Sequence, residues 1–218
     1  ILKTARQSLV HQGSARLIQA IETPHGFHER LVYFWSNHFA ISAGKPTIKS
    51  ISGLYEKEAI RPHVTGRFID MLLAVEQHPA MLLYLDNQRS MGDNSEAAAF
   101  LKKRRGRKAG LNENLAREIL ELHTLGVDGG YNQKDIIELA KAITGWGVGG
   151  RGRGRFAHKG SPGAFTFREE FHEPGDRQLL GKRYKEDGLS QGETILKDLA
   201  RHPSTARFIS RKLARHFI

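Results

Sequence analysis

Cysteine is absent from this 218-residue chain, which removes disulfides, thiolate nucleophiles, iron–sulfur clusters and cysteine-ligated zinc from the chemistry open to it. No uninterrupted apolar run approaches the roughly 20 residues needed to cross a bilayer, so no membrane-spanning helix is expected. The HExxH zinc signature, the GxSxG nucleophile elbow and the phosphate-binding GxxxxGK(S/T) word are missing too. Any chemistry must come from a less stereotyped arrangement. Hydrophobic residues at 39% and charged residues at 26% suit a chain that folds around a core. At this length a single helical domain over 1–218 is the expectation.

Acidic residues are scarce only locally. The formal charge of +11 comes from 34 basic and 23 acidic residues, and its excess lies in two stretches. Residues 101–108 hold Lys102, Lys103, Arg104, Arg105, Arg107 and Lys108, and residues 151–159 hold four bases, including Arg151, Arg153 and Arg155, with no acid in either. Outside them 24 bases face 23 acids, the pattern of a neutral body with two cationic loops. Such loops would hold an acidic polymer or an acidic protein partner. Nucleic acid is disfavoured, because the tyrosines and tryptophans fall mostly in core-like helical stretches and are not interleaved with the basic residues.

Helical periodicity dominates the body. Thr23 and Pro24 are placed to cap and open a helix through GFHERLVYFWSNHFAIS, whose apolar arc covers about half the cylinder and includes His38. Residues 2–22 read as a less buried helix interrupted near Gly13, with further helices over 48–59, over 63–77 and after Pro79. The stretch 87–110 has no hydrophobic period and reads as a long loop carrying the first basic cluster. Asn112 then caps ENLAREILELHTL, which Gly126 ends, and Asn132 with Asp135 opens another helix. Residues 145–163 read as a second, glycine-rich basic loop. Phe165-Thr166-Phe167 alternates and is expected to pair with 179–184 across the HEPGD turn. Ser190 and Glu193 have capping-box spacing, and a last helix follows Pro203. The predicted fold is mainly α, an irregular multi-helix bundle with one short β-hairpin near 165–184 and two long basic loops. His78-Pro79 and His202-Pro203 echo one another, which the preference of His for helix C-termini and of Pro for first turns explains.

The polar cluster richest in chemistry lies on the helix after Asn112. On a helical wheel Glu113, Asn114, Arg117, Glu118 and Glu121 share one face, while Leu115, Ile119, Leu120, Leu122 and His123 share the other. Arg117 stands i,i+4 from Glu113 and from Glu121, where it would clamp carboxylates or orient an anionic substrate. Glu118 and Glu121 offer oxygens from adjacent turns, to a divalent cation or as a general base. A solvated ion-paired face is the plain alternative. His38, His123 and His172 sit in apolar or aromatic contexts, where a buried imidazole needs a partner. Either each is a core histidine bonded to a carbonyl, or they converge with Glu118 and Glu121. Convergence would make a His/carboxylate pocket, with His38, His172 and the two carboxylates as metal ligands and His123 as a proton carrier. The run GVGGRGRGR is glycine-rich with no strand expected to lead into it, and its arginines would grip phosphate or a carboxylated polymer.

The words RLVYFWSNHFAIS, LLAVEQHPAMLLYLDN, LNENLAREILELHTLGVDGGYNQKDIIELAKAITGW, FTFREEFHEPGDRQLLGKRY and LARHPSTARFISRKLARHF, in this order, resemble the bacterial family catalogued as domain of unknown function 1800. The resemblance covers nearly the whole chain. It implies a predominantly helical bacterial protein, exported to the periplasm or cell surface, of which this chain would be the central portion. It brings no established catalytic residue or cofactor. The family's most characteristic words fall on Trp35, Asn37 and His38, on Asn112 to Gly126, and on His172, Glu173 and Pro174, so they coincide with the polar cluster. The expected function is therefore an exported helical protein with a metal-assisted hydrolytic pocket. The alternative is a non-enzymatic surface or assembly module that uses the cationic loops.

Overall fold

Helix α1 (Leu2–Glu22) runs unbroken through Gly13, because its neighbours are good helix formers and one exposed glycine weakens a helix without ending it. The computed structural model describes residues 2–105, 110–150, 155–157 and 160–218. Helix α1 lies along α3 (Pro46–Tyr55), where Gln12 Oε1 accepts from the Gly53 amide at 2.7 Å; a Cβ on Gly53 would meet the Gln12 side chain at 2.7 Å. In the sequence α2 (Gly26–His38) separates them. Its N-terminus differs from the expected Thr23 cap: Thr23 Oγ1 accepts from the His25 amide at 3.1 Å, closing a local turn, and the helix starts only at Gly26. After α3 the chain widens into a π-turn (Glu56–Ile60) and tightens into a 3-10 turn (Arg61–His63). Arg61 there grips Glu29 of α2 with two bonds of 2.7 and 3.0 Å.

The central layer is built from α4 (Phe68–Glu76), α5 (Pro79–Tyr84), a helix that begins as α7 (Asn114–Glu118), and α8 (Gln133–Ala142). Leu72, Leu82, Leu115, Ile119, Leu120 and Leu139 are all fully buried, with Phe39 and Trp146 among them. Burying each such side chain contributes about 1.5–3 kcal/mol, which makes this layer the stabilising centre. Two small histidine-capped junctions frame it. His78 and His202 each stand immediately before a proline at the first helical turn, and Nδ1 of each accepts the amide two residues on at 3.1 Å. The echo in sequence is thus an N-cap device, and the dipole explanation is replaced by a direct bond. Asn132 and Asp135 form the reciprocal capping box expected of them. Ser190 and Glu193 do not: α9 (Leu189–Arg201) begins after Gly188 without a side-chain cap, and Glu193 instead accepts from Gln77. The last helix is α10 (Pro203–Phe217).

The segment 87–110 is more ordered than its lack of period suggested. Asn87 is fully buried and donates to the carbonyls of Ile143 and Trp146, both at 3.2 Å. Helix α6 (Glu96–Arg105) follows, on the alanine run 97–99. Alanine is the best helix former yet carries little periodic signal, so the first basic stretch begins on a helix where a loop was expected.

The strands pair differently from the expected hairpin. Strand β1 (Trp146–Val148) pairs antiparallel with β2 (Phe165–Phe167), in the register Trp146 to Phe167, and the second basic stretch connects them. A strand therefore does lead into the glycine-rich run. Strand β3 (Arg177–Leu179) pairs with β4 (Lys182–Tyr184) through a two-residue turn, Leu180 at φ 49° and Gly181 at φ 78°. Positive φ at both central residues is the turn whose twist suits a hairpin. The tight turn thus falls inside the run read as one strand. Asp135 Oδ1 ties it to α8 by accepting from the Leu180 amide at 2.8 Å.

Candidate functional site

Helix α7 changes character at Ile119, where α-helical bonding gives way to a π-turn (Ile119–His123). The wider turn displaces the face that a straight helix would present. Leu122, expected on the apolar side, is 43% exposed, whereas His123 is buried at 3%. The turn closes when Thr124 Oγ1 donates to the Ile119 carbonyl at 2.6 Å, and Gly126 ends it at φ 83°. A Cβ on Gly126 would meet the Phe208 ring at 2.8 Å, so this glycine both takes the left-handed turn and lets α10 approach. That approach brings Lys212 to the site.

Residues from α2, α5, the 114–123 helix and α10 line a cleft of about 250 Å³, among them His38, Glu118, His123 and Lys212. His123 Nδ1 lies 2.8 Å from Oε1 of Glu76, the last residue of α4, which is 0% exposed. A carboxylate only accepts, so Nδ1 carries the proton and Nε2 is the basic nitrogen. No described residue hydrogen-bonds that Nε2. The second carboxylate oxygen of Glu76 is buried without a hydrogen-bond partner among the described residues. Beside the pair, the Tyr55 hydroxyl donates to the Phe39 carbonyl at 2.8 Å; burial, reinforced by Glu76, pushes its pKa well above the ordinary tyrosine value.

His38 occupies the other wall. Its Nε2 lies 3.1 Å from the His123 carbonyl, which can only accept, and its Nδ1 lies 2.8 Å from Lys212 Nζ. The ring is therefore neutral with its proton on Nε2, accepting from the ammonium at Nδ1. Burial first, and then the charge of Lys212, bring its pKa down to about 3. Lys212 is itself lowered by burial, and among the described residues it has no carboxylate within ion-pair reach. The assembly places a carboxylate-oriented imidazole, a neutral imidazole and a half-buried cation around one small space.

The structure brings together His38, His123 and Glu118 of the residues singled out in the sequence, and separates the rest. Arg117 bonds to Glu113 at 3.2 Å and to Gln133 at 3.0 Å in an exposed network, and does not clamp Glu121. Glu121 lies outside the cleft, near Tyr131, whose pKa is raised by burial and then by Glu121. His172 lies elsewhere, with Nδ1 3.1 Å from the Thr144 carbonyl and Nε2 3.2 Å from Glu186. The expected ligand set of His38, Glu118, Glu121 and His172 is thus not assembled. Among the described residues no group of three or more His, Cys, Asp or Glu is arranged to hold a metal ion. Two central residues, Glu76 and Lys212, were not anticipated. The sequence does hold a signal for the first: Glu76 falls on the buried stripe of Leu72 and Val75, where an acid needs a partner.

Of the basic residues, Lys102, Lys103 and Arg104 are exposed at the end of α6. Arg104 and Arg155, from the two separate stretches, both place guanidinium groups near the Phe100 ring, at 5.6 and 5.3 Å from its centroid. Arg107, Lys108, Arg151 and Arg153, and the side chain of Arg105, lie outside the described residues. No curated protein and no solved structure matches the chain. The family model described as "Protein of unknown function (DUF1800)" does match, over residues 2–218, and the chain therefore belongs to the DUF1800 family.

Proposed function

We propose that the cleft around His123 carries out acid–base hydrolysis of a small ester, with His123 as general base and Glu76 as the group that orients it. The observation that carries this reading is the 2.8 Å contact between His123 Nδ1 and a fully buried carboxylate, which leaves Nε2 basic beside the cleft. Nε2 takes a proton from water as the water oxygen bonds to the ester carbonyl carbon. The same imidazolium then returns that proton to the departing alcohol oxygen as the carbon–oxygen bond breaks. Lys212, with donors beyond the one spent on His38, stabilises the oxyanion that forms between the two steps. Neutral His38 holds both Lys212 and the His123 backbone in place. At about 250 Å³ the cleft suits one acyl group. The reading involves no metal ligand set. Purified protein assayed on a panel of small 4-nitrophenyl esters tests it. Turnover should fall by roughly 10²–10⁴ in His123→Ala; no turnover across the panel, or turnover that survives the substitution, would sink the proposal.

A second reading, an assembly module holding an acidic polymer, is favoured by one observation: Arg104 and Arg155 meet at Phe100, so that two basic stretches distant in sequence share one place. Binding to a model polyanion such as heparin should weaken steeply with salt, and replacing Lys102, Lys103, Arg104 and Arg155 by Gln should flatten that slope. An unchanged slope removes this reading.

A further inference from the structure

Lys45 and Lys141 show how this chain ordinarily holds an ammonium: the first meets Asp86 at 2.7 Å and the second Glu138 at 2.9 Å. Lys212, on α10, is held differently. It lines the cleft of about 250 Å³, and among the described residues no carboxylate stands within 4 Å of its nitrogen. Its hydrogen bond goes instead to His38 Nδ1, at 2.8 Å. A neutral imidazole offers a lone pair but no counter-charge. The Phe208 ring, 5.3 Å from the nitrogen, favours a cation, but only through the weak field of a ring quadrupole. Burial opposes the charge and lowers the Lys212 pKa.

This arrangement survives loss of the proton. His38 Nε2–H is committed to the His123 carbonyl at 3.1 Å, so Nδ1 can only accept. It needs one N–H from Lys212, and a free amine supplies one as readily as an ammonium does. A tetrahedral amine nitrogen that is bonded to Cε and donates to His38 keeps one further N–H and one lone pair. Neither has a partner among the described residues, so the lone pair is open to an electrophile in the cleft. Lysine amines desolvated in this way are the ones that add to carbonyl groups. The cleft admits only a small molecule, and Glu118, which lines it without an ion pair among the described residues, can relay protons there.

We infer that Lys212 is a nucleophilic lysine that captures small aldehydes in this cleft as a cationic imine. The lone pair of the free amine bonds to the carbonyl carbon while the carbon–oxygen π pair moves onto oxygen. Counted from the ammonium, two of the nitrogen's three protons pass to that oxygen, by way of water or Glu118, and leave with it as water. The third stays on the C=N nitrogen, which keeps the positive charge. The ester reading uses Lys212 only as a hydrogen-bond donor, so neither chemistry requires the other. The test incubates the whole chain with butanal and cyanoborohydride at neutral pH, which turns an imine into a stable secondary amine, and follows each lysine by peptide mass spectrometry. Lys212 should be alkylated roughly tenfold faster than the exposed Lys134 and Lys185, at a rate that saturates as butanal is raised. Lys212→Arg keeps the charge and should abolish the fast, saturable phase while leaving Lys134 and Lys185 unchanged, with a circular dichroism spectrum showing that it is folded. The wild-type rates decide the matter even if that variant misfolds. Labelling of Lys212 no faster than that of the exposed lysines, a rate linear in butanal, or a fast phase that persists in Lys212→Arg would each overturn the inference. Ester turnover is not read, so failure here is distinct from failure of the ester reading.

Discussion

Replacing His38 by glutamine should remove a specific part of the protein's acid sensitivity. In the folded chain both His38 nitrogens are engaged and the ring titrates only at about pH 3, against 6.5 for a free imidazole. Between those values the unfolded chain binds a proton here that the folded chain refuses. Stability therefore rises with pH across this window, is fully present above 6.5, and is lost as pH falls, by about 1.4 kcal/mol per pH unit. At about pH 4.5 the loss is on the order of 3 kcal/mol. Glutamine keeps a donor for the His123 carbonyl but does not titrate. At neutral pH the variant should be less stable by about 1–3 kcal/mol, through imperfect hydrogen bonding in a buried site. That gap should shrink as pH is lowered, and then reverse. Urea unfolding of both proteins at a series of pH values between neutral and about 4.5 measures it. His78, also held down by burial, contributes equally to both and cancels. A gap independent of pH, or a His38 resonance that titrates near its free value, would refute the reasoning.

Other outcomes follow from the packing. Gly92→Ala should destabilise by about 1–3 kcal/mol in denaturant unfolding, because the new Cβ would stand 2.5 Å from the Glu173 Cα, a backbone atom that cannot swing aside. His202→Ala removes a helix cap and should reduce stability by about 1 kcal/mol. His78→Ala should do more in the same assay, because His78 also faces Glu58 at 3.2 Å and packs on the Tyr55 ring at 5.2 Å.

The parts of the fold legible in the sequence were those fixed by local chemistry. Pro46, Pro79 and Pro203 mark first turns, Asn132 and Asp135 a reciprocal cap, and Gly126 a helix end. Helix α6 escaped periodicity because its alanines stabilise a helix without making one face distinct. The hairpins were misjoined because three-residue strands carry little register information, and because the Leu180–Gly181 turn hides in an apolar run. In the candidate site, the inward position of His123 and His38 was readable from the apolar arcs. Their partners were not, since Glu76 lies 47 residues from His123 and Lys212 lies 174 from His38. Wheel geometry did fail for Glu121, which lies outside the cleft on the π-turn. Contacts that span the chain are set by packing and leave no local spacing to read.

The account turns on a His123 imidazole that is fixed by Glu76 at one nitrogen and basic at the other. Timed labelling of the folded protein with diethyl pyrocarbonate, resolved by mass spectrometry for each histidine, measures that state directly. His123 should be modified at Nε2 while His38 stays unmodified, and Glu76→Gln should slow labelling of His123 several-fold. A His123 as inert as His38, or one whose reactivity ignores the loss of Glu76, would contradict it.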